Sequence, residues 1–173
     1  HLTTRRQRQM CIRDRPKSMS LFKDVKDSAR GSSKSKDWYR SQVRSGLEPL
    51  GRPPSEGDIL FYDYVAQTDV DWYDMHPLTL VTDVDMMFGQ FSGGNIHYLR
   101  PSARQGVGKA WAGGAQTYPA RCYHKYFMSA ASNIYLVPKE SFTDYVPLPL
   151  EQFLFTRAGV KVEVPSSFIW SKV

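Results

Sequence analysis

Residues 57–101 read GDILFYDYVAQTDVDWYDMHPLTLVTDVDMMFGQFSGGNIHYLRP, and this stretch decides the fold class. It carries three strand-like runs, 58–65, 77–84 and 94–99, separated by aspartates, glycines and an aromatic cluster. Apolar runs of this length between turn formers are the signature of a compact β-meander. In the first run Ile59, Phe61, Tyr62, Tyr64 and Val65 are too continuous for one-sided alternation, so this strand is expected to be covered on both faces. Gly93 and Gly94 lead into the third run, where a missing Cβ lets a neighbouring backbone come close. There Asn95 and His97 share one face of a strand and Ile96 and Tyr98 the other. The expectation is that Ile96 and Tyr98 face the core while Asn95 and His97 bond backbone groups at a barrel mouth.

Within the same stretch, 69–74 reads DVDWYD. Three carboxylates so close together could serve a hard cation, but a calcium loop needs Gly at its sixth position and Glu at its twelfth. Aspartates that cap backbone amides of a turn are the simpler reading. Trp72, Tyr73 and Pro77 form an aromatic corner expected to pack beneath the sheet.

Outward from this centre the composition changes. Residues 1–18, HLTTRRQRQMCIRDRPKS, offer almost no apolar surface, and RRQRQMCIRDR resembles translated sequencing adapter at the edge of a metagenomic read. No apolar h-region follows and no apolar helical face is present, so a targeting peptide does not fit. These residues are expected to be a non-native leader, with Met19 (or Met10) the native start. They hold six Lys/Arg and one Asp, so the formal charge of +6 falls to about +1 without them. A pI near 9.3 points to nucleic acid, but most of that signal sits in the leader. The remaining ~155 residues suffice for one domain with a hydrophobic core. No apolar run approaches the ~20 residues that cross a bilayer, so no membrane partner is expected. From Met19 onward Cys122 stands alone, which excludes an intramolecular disulfide and fits a reducing compartment.

Residues 19–56 read as a flexible basic arm. Its middle, 28–36, is too polar to order itself. A short helix is expected over 37–43, DWYRSQV, with Asp37 as N-cap, and GRPPS at 51–55 closes the arm as a stiff linker. Lys34, Lys36, Arg40 and Arg44 with Trp38 are candidate nucleic-acid contacts, through phosphate pairing and base stacking. The alternative is a solvated tether with one aromatic anchor.

Beyond the meander, GVGKAWAGGA at 106–115 fails the phosphate-loop spacing, because Lys109 is followed by Ala110 and position 103 is Ala103. It reads as a flexible connector. A short helix is expected over 121–131, a strand over 133–137, and a helical turn from Pro138 to Tyr145. Residues 146–155 return to the sheet at an edge, as Pro147 and Pro149 require. KVEV within 160–164 alternates as a last strand, before a tail with Phe168 and Trp170. Cys122, His76, His97 and His124 lie in no nucleophile motif and lack paired zinc-ligand spacing. No catalytic residue, metal or cofactor is expected.

Three clusters together carry a resemblance: Gly57, Asp58, Ile59, Phe61 and Tyr64; Trp72, Tyr73, Asp74, Pro77 and Leu78; Gly94, Asn95, His97, Tyr98 and Leu99. With them the chain resembles small virion-associated proteins of T-even-like tailed phages of marine bacteria. KDWYRSQV at 36–43 is similar too, and 121–126 with 148–153 look like that family's closing helix and strand. The resemblance implies a place in the phage particle or its assembly, in the virion and in the host cytoplasm beforehand, with other phage structural proteins as partners. It implies no catalytic residues.

The sequence is thus read as one α+β, β-rich domain over 57–173. A small, partly open, SH3-like barrel of five or six strands is expected, with short covering helices and a disordered basic N-terminal arm. The function expected is a non-enzymatic virion or assembly component that docks on other proteins. Trp72, Tyr73, Asp74, Pro77, Asn95, His97 and Tyr98 form its candidate docking or structural motif. The alternative is a nucleic-acid-associated phage protein acting at packaged DNA ends.

Overall fold

The computed structural model describes Val25, Asp27, Ala29 and residues 33–172. The expected leader at 1–18 lies outside the described residues, as does most of the arm before position 33. Helix α1 spans Lys36–Gly46, followed by β1 (Glu48–Pro49), β2 (Ile59–Tyr64), β3 (Trp72–Asp74), β4 (Leu78–Asp85) and β5 (Gln90–Asn95). Helix α2 is Pro101–Ala112, β6 is Tyr123–Phe127 and β7 is Ala131–Leu136. The chain ends with α3 (Phe142–Tyr145), β8 (Phe153–Arg157), β9 (Val160–Val164) and α4 (Ser166–Lys172). Every strand pairing is antiparallel, in a six-stranded sheet ordered β1-β7-β2-β4-β5-β6 and a three-stranded sheet ordered β3-β8-β9. The protein is an α+β, β-rich fold, and neither sheet closes into a barrel.

Alternation along β2 builds two cores from one strand. Ile59 and Phe61 face a cluster with Leu78, Leu80, Val137, Trp111 and Phe142, beneath the helices. Leu60, Tyr62 and Tyr64 face the other way, onto Val81, Phe91 and Tyr126. This strand is therefore covered on both sides, as its unbroken apolar run requires. In the second cluster Tyr62 meets Phe91 and Tyr126 edge-on, with ring centroids 5.6 and 5.5 Å apart, a geometry that the aromatic quadrupole favours. A 3₁₀ turn at Met128–Ala130 joins β6 to β7 and draws the sheet into a curl. It does so through Met128 N–H to Gly89 O (2.8 Å) and Val65 N–H to Ala130 O (3.1 Å).

Several expected elements are corrected. The third run starts earlier, as β5 at Gln90, and Ile96–Tyr98 is a 3₁₀ turn. The Asn95 side chain accepts the His97 N–H at 3.0 Å, a local bond that competes with the ladder and ends the strand. The expected connector at 106–115 is helical as far as Ala112. Pro101 at its first turn starts α2, and Trp111 anchors it, stacked on Phe142 at 5.5 Å. Gly108 lets the helix come close, since a Cβ there would lie 2.6 Å from Val146. The expected helix over 121–131 is β6 between two 3₁₀ turns; His124 and Tyr126 turn inward while Tyr123 and Lys125 stay exposed, a period of two. Residues 146–152 stay out of the sheet. The strand begins only at Phe153, and β8 is the centre of the small sheet, not an edge.

From Ser33 onward the arm also packs on the domain. Ser35, not Asp37, caps α1, its hydroxyl accepting from Trp38 N–H at 3.1 Å. Arg40, Val43 and Leu47 of this region are buried, and so is Val25.

Where β4 and β5 pair around a bulge, Gly93 lies against β4 so closely that a Cβ would sit 1.9 Å from the carbonyl oxygen of Leu80. Backbone cannot yield as a side-chain tip can. Gly93→Ala is expected to destabilise by ~3 kcal/mol, at the upper end for overpacking, measured by urea unfolding. Unchanged stability would refute the close approach.

Candidate functional site

Strand β3 projects Tyr73 and Asp74 to opposite sides. Tyr73 enters the tyrosine-rich cluster, 6.2 Å from Tyr64. Asp74 points into the seam between the two sheets, where it is 2% exposed. Its Oδ2 accepts from His97 Nδ1 (2.6 Å) and Asn95 Nδ2 (3.1 Å), and its Oδ1 from the backbone N–H groups of His76 (3.0 Å) and Gln152 (3.1 Å). Burial alone would raise this carboxyl. The charge of His97 and the hydrogen bonds from His97, Asn95 and the His76 backbone outweigh burial and hold it at about 2.

Asp74, Asn95 and His97, read from the sequence as one motif, are thus brought together, but their partners differ from those expected. Asn95 and His97 are buried, and His97 bonds a carboxylate instead of backbone across a mouth. Tyr98 packs separately, stacked on His124 with centroids 4.0 Å apart. Pro77 is buried, and Trp72 is only half-buried, which corrects the expectation that the whole aromatic corner lies beneath the sheet.

A second layer locks this motif to the helices. The carbonyl of His97 accepts from Trp170 Nε1 (2.9 Å) and Arg104 Nη2 (3.3 Å). Arg104 also bonds Leu99 O (2.8 Å) and the Glu151 carboxylate (3.3 Å). Lys36 reaches the same carboxylate at 3.2 Å, and Arg40 donates to Leu150 O at 3.0 Å. Arg44 pairs with Asp63. Of the candidate nucleic-acid set, Lys36, Arg40 and Arg44 are therefore spent on internal partners. Lys34, 5.3 Å over the Trp38 ring, is the member left facing solvent.

The remaining reactive groups are closed off. His97 Nε2 is buried and meets no hydrogen-bond partner among the described residues, so the Asp74–His97 pair does not continue to a nucleophile. Burial pushes the Cys122 thiol up to about 12, despite Arg121 and Arg104. His124 bonds the carbonyl of Cys122 (3.0 Å), not its sulfur. Among the described residues no group of three His, Cys, Asp or Glu is placed to hold a metal ion.

Two apolar surfaces are open to solvent. A groove of about 490 Å³ opens over β8 and β9, lined by Trp72, Phe155, Val162, Val164 and Phe168, with Arg157 the charged group on its wall. It continues the helix-side core outward, since Phe153 lies on the same face of β8 as Phe155 but is fully buried. A second apolar surface is the β4–β5 hairpin tip, Met86, Met87 and Phe88, all exposed. The tip lies outside the candidate motif, and of the groove only Trp72 lies within it. The tip has a signal, DMMFG, an apolar run across a turn; the groove as a whole has none, because it joins β3 at 72–74 to β8 at 153–155. No protein-family model, curated protein or solved structure matches the chain.

The Asp74 environment generates a pH dependence. Its carboxyl titrates near 3.8 unfolded and about 2 folded. Its stabilisation is complete above about pH 4 and drains as pH falls towards 2. Over that window the wild type should lose on the order of 2 kcal/mol more stability than Asp74→Asn, read by acid unfolding with tryptophan fluorescence. Equal losses would contradict the assignment.

Proposed function

We propose that this chain is a non-enzymatic component of a tailed-phage particle or of its assembly, acting through protein–protein docking. The observation that carries the reading is a division of surfaces. Asp74, Asn95 and His97 are buried and bonded to one another, while ordered apolar surface is turned to water at the groove and the hairpin tip. Soluble monomers rarely keep such patches unless something covers them. The strand order β7-β2-β4-β5-β6, with a 3₁₀ turn between β6 and β7, supports a partly open SH3-like arrangement to which β3, β8, β9 and the helices are added. On this reading Asp74, Asn95, His97 and Tyr98 are structural residues that fix β3, and Trp72 is the docking residue of the set. The virion, and the host cytoplasm during assembly, are the compartments that go with it.

The nucleic-acid alternative retains Lys34 and Trp38, a basic and an aromatic side chain at the start of α1. Two measurements separate the roles. Mass spectrometry of purified particles and assembly intermediates is expected to find this chain's peptides, and their absence from both would contradict a virion role. The chain beginning at Met19 is expected not to bind DNA at low salt. Binding that falls steeply with added salt would instead favour the nucleic-acid role.

A further inference from the structure

The hairpin tip is unusual in being both apolar and firmly held. Met86, Met87 and Phe88 are 61%, 88% and 69% exposed. Yet the turn is ordered: Phe88 N–H donates to Asp85 Oδ1 (3.1 Å), and Gly89 O accepts from Met128 N–H (2.8 Å). Consecutive large apolar residues in water are unfavourable unless they have a use. Asp83 and Asp85 flank the tip, and neither pairs with a cation among the described residues.

The groove has the opposite charge at its margin. Its floor and walls are Trp72, Phe155, Val162 and Phe168, with Val162 53% and Phe168 44% exposed. Arg157 stands on its wall with no carboxylate partner among the described residues, and Lys172 Nζ lies 5.5 Å from the Phe168 ring. No acidic side chain lines it. Its volume of about 490 Å³ falls in the range of pockets that enclose a small ligand, about 300–1,000 Å³, which suits the end of a hairpin.

An apolar knob between carboxylates and an apolar socket beside cations thus occur on one chain, and among the described residues nothing covers either. We propose that the Met86–Phe88 tip of one copy seats in the Trp72–Phe155–Val162–Phe168 groove of the next, so that the chain self-associates head to tail. The inference rests on the docking role proposed above and adds the partner, a second copy. Knob and socket are different surfaces, so the contact is heterologous: each added copy presents a fresh knob or socket, and growth ends only if a ring closes. Asp83 and Asp85 against Arg157 and Lys172 set the register and make the association weaken with salt.

Sedimentation of the full chain tests this with two surface variants, Met87→Asp for the knob and Val162→Asp for the socket. Both positions are exposed, so each variant should keep the wild-type melting temperature. The wild type should sediment as species that grow with concentration, and each variant alone as a monomer. An equimolar mixture retains one good knob and one good socket, and should give a dimer and nothing larger. A wild type that stays monomeric, variants that still oligomerise, or a mixture that stays monomeric would each overturn head-to-tail association. If the wild type is monomeric while its peptides are present in particles, self-association fails and the virion role stands.

Discussion

The carboxylate of Asp74 is the constraint on which the two sheets depend. It sits on a three-residue strand that pairs only with β8, yet it takes hydrogen bonds from both sides of the seam. Asn95 and His97 come from the end of β5, His76 from the approach to β4, and Gln152 from the approach to β8. A buried charge without partners is among the most costly features a fold can carry. Four donors must therefore converge on it, and their convergence fixes where the small sheet lies. The layer behind extends the constraint, because the carbonyl of His97 receives Arg104 from α2 and Trp170 from α4.

This arrangement turns the polar groups of the motif inward. Among the described residues the Nε2 of the histidine next to the carboxylate meets no partner, the thiol is buried, and three of the basic residues at α1 serve internal acceptors. The same rigid frame holds apolar side chains out into solvent at two places, where flexible loops would let them collapse. The proposed docking role rests on that contrast: the interior settles the shape, and two apolar surfaces remain open, with opposite charges at their margins.

Much of the frame is legible in the sequence where the signal is local. The unbroken run from Ile59 to Tyr64 announces a strand buried on both faces, and the alternation of Val160, Val162 and Val164 announces β9. The grouping of Asp74, Asn95 and His97 is visible as a motif, although their mutual bonding is not. What fails is where burial overrides composition. Gly106 and Gly108 lower the helix propensity of α2, but Arg104, Val107 and Trp111 lie at helical spacing, and Gly108 is there for its contact with Val146. Arg40 makes α1 look solvated, whereas Tyr39, Val43 and Leu47 share a face at i, i+4 and i+8 that packs on the core. The pairing of β3 with β8 joins residues 72–74 to 153–155, and such long-range contacts leave no local trace.

Asp74 makes the two sheets one cooperative unit. Native-state hydrogen exchange tests it most directly, at the amides of His76 and Gln152 that donate to Asp74 and at the strand amides of β2 and β8. If the account holds, all of them exchange only through global unfolding, with the same free energy and the same dependence on denaturant. Exchange of the β8 and Gln152 amides by a smaller opening, while β2 stays protected, would contradict it.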